Sequence, residues 1–203
     1  MNDQSRRGAG PGFVLACGLL ALATPVSAHN GTGLAGGFQS GLLHPLTGFD
    51  HLLAMVSVGL WGAFLGRPLI VALPVIFPAL MAVGGVLGIA GVPVPPIEIG
   101  IAASVIVLGG AILLAWRAPV WAACVIVAIF ALFHGYAHGH ELPSAADPVG
   151  YSVGFVLCTG TLHVAGIGIG TIKDRPGGAL AIRGLGGLIA ACGLWFLLVA
   201  VTR

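Results

Sequence analysis

From residue 45 to the C-terminus, the chain is a succession of apolar runs about 20 residues long, separated by short turns. A run of that length is what an α-helix needs to cross about 30 Å of hydrocarbon. Lipid offers the backbone no hydrogen bonds, so each run must satisfy its own amides, and a helix does so. The breaks fall near 66–68, 92–96, 116–119, 140–148 and 172–178, which predicts six spans at about 45–65, 68–91, 97–115, 119–138, 149–171 and 179–201. Charge settles the class. Only 7% of residues are charged and mean hydropathy is +1.07, whereas a soluble domain carries about 25% charged residues. The expected fold is an all-α integral membrane protein, with one domain over 29–203 in contact with the lipid bilayer.

The first 28 residues read as an export signal. Arg6 and Arg7 make a positive start, 12–23 an apolar stretch too short to span, and Pro25-Val26-Ser27-Ala28 a small-residue cleavage end. Cleavage after Ala28 leaves His29 first, where a free amine and an imidazole can chelate one metal ion. Residues 31–43 are glycine-rich, with Gly33, Gly37 and Gly41 at a spacing of four. They predict a half-helix or re-entrant piece packed through its glycine face. Pro45 disfavours helix at His44 and suits a first helical position, so a break is expected at His44 and a new helix at Pro45. Pro74 and Pro78 are expected to kink the second span.

Lys and Arg fall on alternate turns, at Arg67, Arg117, Lys173, Arg175 and Arg183, while 92–96 and 141–148 carry none. Positive loops stay cytoplasmic. This orientation and the export signal agree in placing both ends of the mature chain, and both polar clusters, on the outer side. The small-xxx-small pairs Gly84/Gly88, Gly150/Gly154 and Gly166/Gly170 predict close helix contacts.

Two polar clusters interrupt the hydrocarbon. Ionisable residues at membrane depth are expensive and mark functional sites. The first cluster is His44-Pro45-Leu46-Thr47-Gly48-Phe49-Asp50-His51. Asp50 can ligate an ion directly, or can orient a ligating imidazole by accepting its other N–H. The second is His134-Gly135-Tyr136-Ala137-His138-Gly139-His140-Glu141. His134 and His138 stand at i and i+4 and share a helix face, to which Glu141 returns if the helix continues; His140 points elsewhere. Gly135 and Gly139 thin the helix for a neighbour or an ion. Imidazoles with carboxylates and no nearby thiolate suit nickel, cobalt or zinc, and match copper(I), magnesium and calcium poorly. His163 stays open between ligand or relay and an interhelical hydrogen bond. Glu98 reads as a helix-start acid and Asp147 as a turn former before Pro148.

Other chemistries lack their signatures. The chain has no phosphate-binding G-x-x-x-x-G-K-[ST] loop, no H-E-x-x-H and no nucleic-acid patch, and Cys17, Cys124, Cys158 and Cys192 form no C-x-x-C pair. Two other kinds of chemistry could use the same residues. One is a haem- or metal-binding redox protein with facing histidines such as His51 and His134 as axial ligands. The other is a metal-dependent hydrolase with Glu141 as base.

At these residues the chain resembles the HupE/UreJ family of bacterial nickel/cobalt permeases. The run from His44 to His51 fits an H-x5-D-H signature. Phe133-His134-Gly135-Tyr136-Ala137-His138-Gly139-His140-Glu141 fits F-H-G-x-A-H-G-x-E. The resemblance implies a secondary permease and no enzyme, with Ni2+ or Co2+ as transported substrate and no resident cofactor. The ion would supply hydrogenase or urease maturation, or cobalamin synthesis. It also implies that His44, Asp50, His51, His134, His138 and Glu141 are transport-critical; His140 occupies a variable position. Assembly with further copies of the chain stays open.

Overall fold

The computed structural model describes residues 34–94, 96–140 and 147–202. The expected signal peptide (1–28) and the candidate ligands His29 and Glu141 lie outside them. The described residues form helices and no strands: α1 Leu34–Thr47, α2 Phe49–Leu65, α3 Leu69–Ile89, α4 Ile97–Leu113, α5 Val120–His140, α6 Pro148–Gly170 and α7 Gly178–Thr202. A short 3-10 turn, Thr171–Asp174, follows α6.

The expected all-helical architecture is seen, and among the described residues the helices able to cross a membrane are fewer than six. Four helices are long and apolar enough to cross, namely α3, α5, α6 with its following turn, and α7; α1 and α2 count as a fifth if taken together as one broken span. The apolar α4 is shorter, at 17 residues. Helix α3 runs unbroken through Pro74 and Pro78.

The break near the first cluster is displaced from its expected position. Helix α1 continues through His44 and Pro45 to Thr47, and the chain bends by 82° before α2. Gly48 takes an extended conformation (φ −94°, ψ 106°) as the N-cap of α2. Pro45 costs α1 only one late backbone bond, because it falls in the last turn. Packing outweighs that loss, since Gly37 and Gly41 bring α1 against the backbone of Asp147 and Tyr151 at the start of α6. The expected glycine-faced half-helix is therefore present, and it carries His44 with it.

Helix α2 is the axis of the bundle. Beyond Asp50 and His51 in its first turn it is apolar nearly all round, as suits a helix enclosed by others, and residues 54–55 and 57–63 are all buried. Helices α1, α3, α4, α6 and α7 all pack against it. Met55, Leu60, Trp61, Leu73, Phe77, Leu108 and Ile112 fill the core. Val75, Val86, Trp121, Leu180 and Trp195 face outward, where lipid would cover them. Gly66 ends α2 with φ 79°, a conformation that only glycine adopts freely.

Cationic residues gather at one end. Lys173 Nζ donates to Ala63 O at 2.8 Å, and Arg183 Nε donates to Leu113 O at 2.8 Å. Each places a cation at a helix C-terminus, which the helix dipole favours. Trp61 Nε1 donates to Trp116 O at 3.3 Å at that same end. The starts of α2 and α6 and the end of α5 form the opposite end.

Candidate metal-binding site

The first turn of α2 builds the first part of the site. Asp50 Oδ1 accepts from His51 N at 2.8 Å and from His51 Nδ1 at 2.9 Å. A carboxylate can only accept here, so the His51 proton sits on Nδ1. His51 Nε2 is left as a bare lone pair, buried and without a hydrogen-bond partner. Of the two roles open to Asp50, this geometry is the orienting one.

Helix α5 repeats the device without a carboxylate. His134 is fully buried, and its Nδ1 donates to Phe130 O at 2.9 Å, one turn back. Its Nε2 is buried and unpartnered, and so are both ring nitrogens of His138.

The two clusters meet. His51 lies 4.9 Å from His134 and 4.6 Å from His138 between ring centroids, and His44 lies 4.8 Å from His138. His138 also leans on Phe155 at 4.2 Å. The imidazoles run in the order His44, His138, His51, His134, from the end opposite the cations toward the interior. Beyond His134 comes Phe77, 5.5 Å away, and beyond Phe77 comes His163 at 5.4 Å. Among the described residues no three His, Cys, Asp or Glu groups close on one point as a metal cage. The arrangement is a row of nitrogen donors in ring-to-ring contact.

The remaining candidates fall into place around this row. His163 is fully buried on α6 and belongs to the row only across Phe77. His140 is exposed and stacks on Tyr136, away from the row. Glu98 is exposed in the first turn of α4. Asp147 is the N-cap of α6, accepting from Gly150 N at 2.7 Å and Val149 N at 3.3 Å, with Pro148 at the first helical position. Gly135 and Gly139 make room for a helix. A Cβ on either would fall on an α3 carbonyl oxygen, that of Met81 or Gly85. Phe77, Tyr151 and Phe155 carry no chemical label in the sequence, and only the fold shows them lining the row.

Comparison with known proteins covers nearly the same stretch. The family described as HupE / UreJ protein matches residues 17–196. The curated "Protein HupE" of Rhizobium leguminosarum bv. viciae is 43% identical over 176 residues, which is 86% of this chain and 92% of that one. No solved structure matches.

Proposed function

The chain belongs to the HupE/UreJ family, and from that premise we propose that it is a secondary permease for Ni2+, with Co2+ as the second candidate. In this reading the broken α1–α2 pair, α3, α4, α5, α6 and α7 make six membrane crossings in the bacterial inner membrane. The signal over 1–28 is removed, and His29 stands in the periplasm. The cationic end faces the cytoplasm, in keeping with the positive-inside rule. The ion is caught near His44 and passes along His138, His51 and His134, with Asp50 fixing the His51 tautomer and Glu141 completing the outer end. The ion then serves metalloenzyme maturation or cobalamin synthesis.

One observation carries this reading. Imidazole nitrogens without hydrogen bonds are buried side by side inside the helix bundle, with His51 and His134 each held by an acceptor on the other nitrogen. Such nitrogens suit borderline divalent cations. The contact between His51 and His134, at 4.9 Å, leaves no space for a haem between them, which speaks against the haem form of the redox rival at this pair.

The test is uptake of radioactive nickel by vesicles containing the protein. Saturable accumulation is expected, with Co2+ competing strongly and excess Mg2+ leaving it unaffected. Accumulation no greater than in empty vesicles would overturn the proposal. A second measurement probes Asp50. In Asp50→Ala the His51 tautomer is released, and nickel affinity in equilibrium binding is expected to fall about 10–100-fold, the usual cost of losing such an orienting partner. Unchanged affinity would show that the carboxylate does not orient the ligand.

A further inference from the structure

His163 is left over from the row, and its surroundings explain why it is there. Helix α6 carries it with Thr159 one turn nearer the outer end, at i and i−4, on the same face. Both are fully buried, and neither the ring nitrogens of His163 nor the Thr159 hydroxyl has a hydrogen-bond partner. Unpaired buried polar atoms are costly, so a histidine and a threonine left this way call for a partner.

The α3 prolines supply the missing context. Pro78 has no N–H, so the Pro74 carbonyl lacks its usual donor four residues on. That carbonyl is a neighbour of the His163 ring. An acceptor is thus near the His163 ring, as Asp50 is at His51 and the Phe130 carbonyl at His134. Metal-ligating histidines show this pattern.

Position separates His163 from the outer row. The Phe77 ring stands between it and His134. A Cβ at Gly59 of α2 would strike the His163 carbonyl oxygen. Gly59 lies eight residues beyond His51, about 12 Å along the helix axis.

We propose that His163, oriented by the Pro74 carbonyl and with the Thr159 hydroxyl as an oxygen donor, is a second and deeper binding station for the same divalent cation. This rests on the permease reading. An ion held by several imidazoles of the outer row needs somewhere weaker to go next, since conduction requires sites that release as well as capture. His163 offers one nitrogen where the row offers several, and it lies across a single aromatic ring toward the cationic end.

Full-length protein, purified in detergent and also reconstituted in vesicles, tests this with Co2+ and Ni2+ as probes. Co2+ titration of His163→Cys is expected to give a thiolate-to-cobalt charge-transfer band that wild type, with its own cysteines, does not show. A purely structural histidine would not produce it. In His163→Gln, nickel uptake is expected to fall about tenfold or more, with outer-row affinity for Ni2+ held within about twofold. Absence of the band, or uptake in His163→Gln within about twofold of wild type, overturns the second station. Failure of wild type to bind or move nickel at all overturns the permease reading itself. Retained Co2+ binding at the outer row shows that each variant is folded.

Discussion

Changing His138 to alanine is expected to abolish nickel accumulation while leaving the protein in the membrane. His138 is the ring that touches both His44 and His51, at 4.8 and 4.6 Å. Those two histidines sit on different helices, α1 and α2, with the 82° bend between them. Without the His138 imidazole, the row is cut between its outermost member and the rest. His44→Ala removes the outermost member itself and is expected to act alike. Alanine at 138 also gives up contact with Phe155 at 4.2 Å, so lost packing could masquerade as lost ligation. His138→Phe separates the two, because it restores an aromatic ring against Phe155 and supplies no nitrogen. Uptake at background in both His138 variants, with membrane abundance near wild type for His138→Phe, is the expected result. Uptake in His138→Phe above about a tenth of wild type, a barrier change under about 1.4 kcal/mol, would remove His138 from the path.

The partnership that makes His138 central was only half legible in the sequence. Spacing alone places His134 and His138 on one face of one helix, and it marks Asp50 as a partner for a nearby imidazole. It does not say that His44 and His51 belong to different helices. The proline rule points to His44 as the break, yet the bend comes at Gly48, because the glycine contacts of α1 with α6 keep α1 helical through Pro45. Local preference lost to tertiary packing there. Gly135 and Gly139 likewise read equally well as space for an ion or for a helix, and α3 took the space. Phe77 sits in an apolar run with nothing to distinguish it from its neighbours, though its ring lies between two buried histidines. The bundle was legible because apolar length and turn residues are properties of the chain itself. The order of donors along the row was not, because it depends on which helices touch.

Gly135→Ala is expected to be among the most destabilising single methyl additions at the described glycines. The new Cβ would coincide with the Met81 carbonyl oxygen, and Met81 backbone atoms are the nearest neighbours on every count. No rotamer change relieves a clash between a Cβ and a backbone, so α3 and α5 must move apart. Overpacking of this kind costs about 1–3 kcal/mol, with rigid backbone contacts toward the upper end. For a chain of this size each kcal/mol lowers Tm by about 2–4 °C. Thermal unfolding in detergent, followed by tryptophan fluorescence, reads the effect. Gly110→Ala on α4 is the control, since a Cβ there meets nothing within 4 Å. It is expected to be neutral, or to raise stability by about 0.4–1 kcal/mol by restricting the unfolded chain. Equal midpoints for the two variants would mean that α3 and α5 do not approach as closely as described. The expected drop in Gly135→Ala should bring a loss of uptake with it, because Gly135 lies between His134 and His138. Any outward shift of α5 carries both imidazoles away from His51, so the close helix contact and the row of donors stand or fall together.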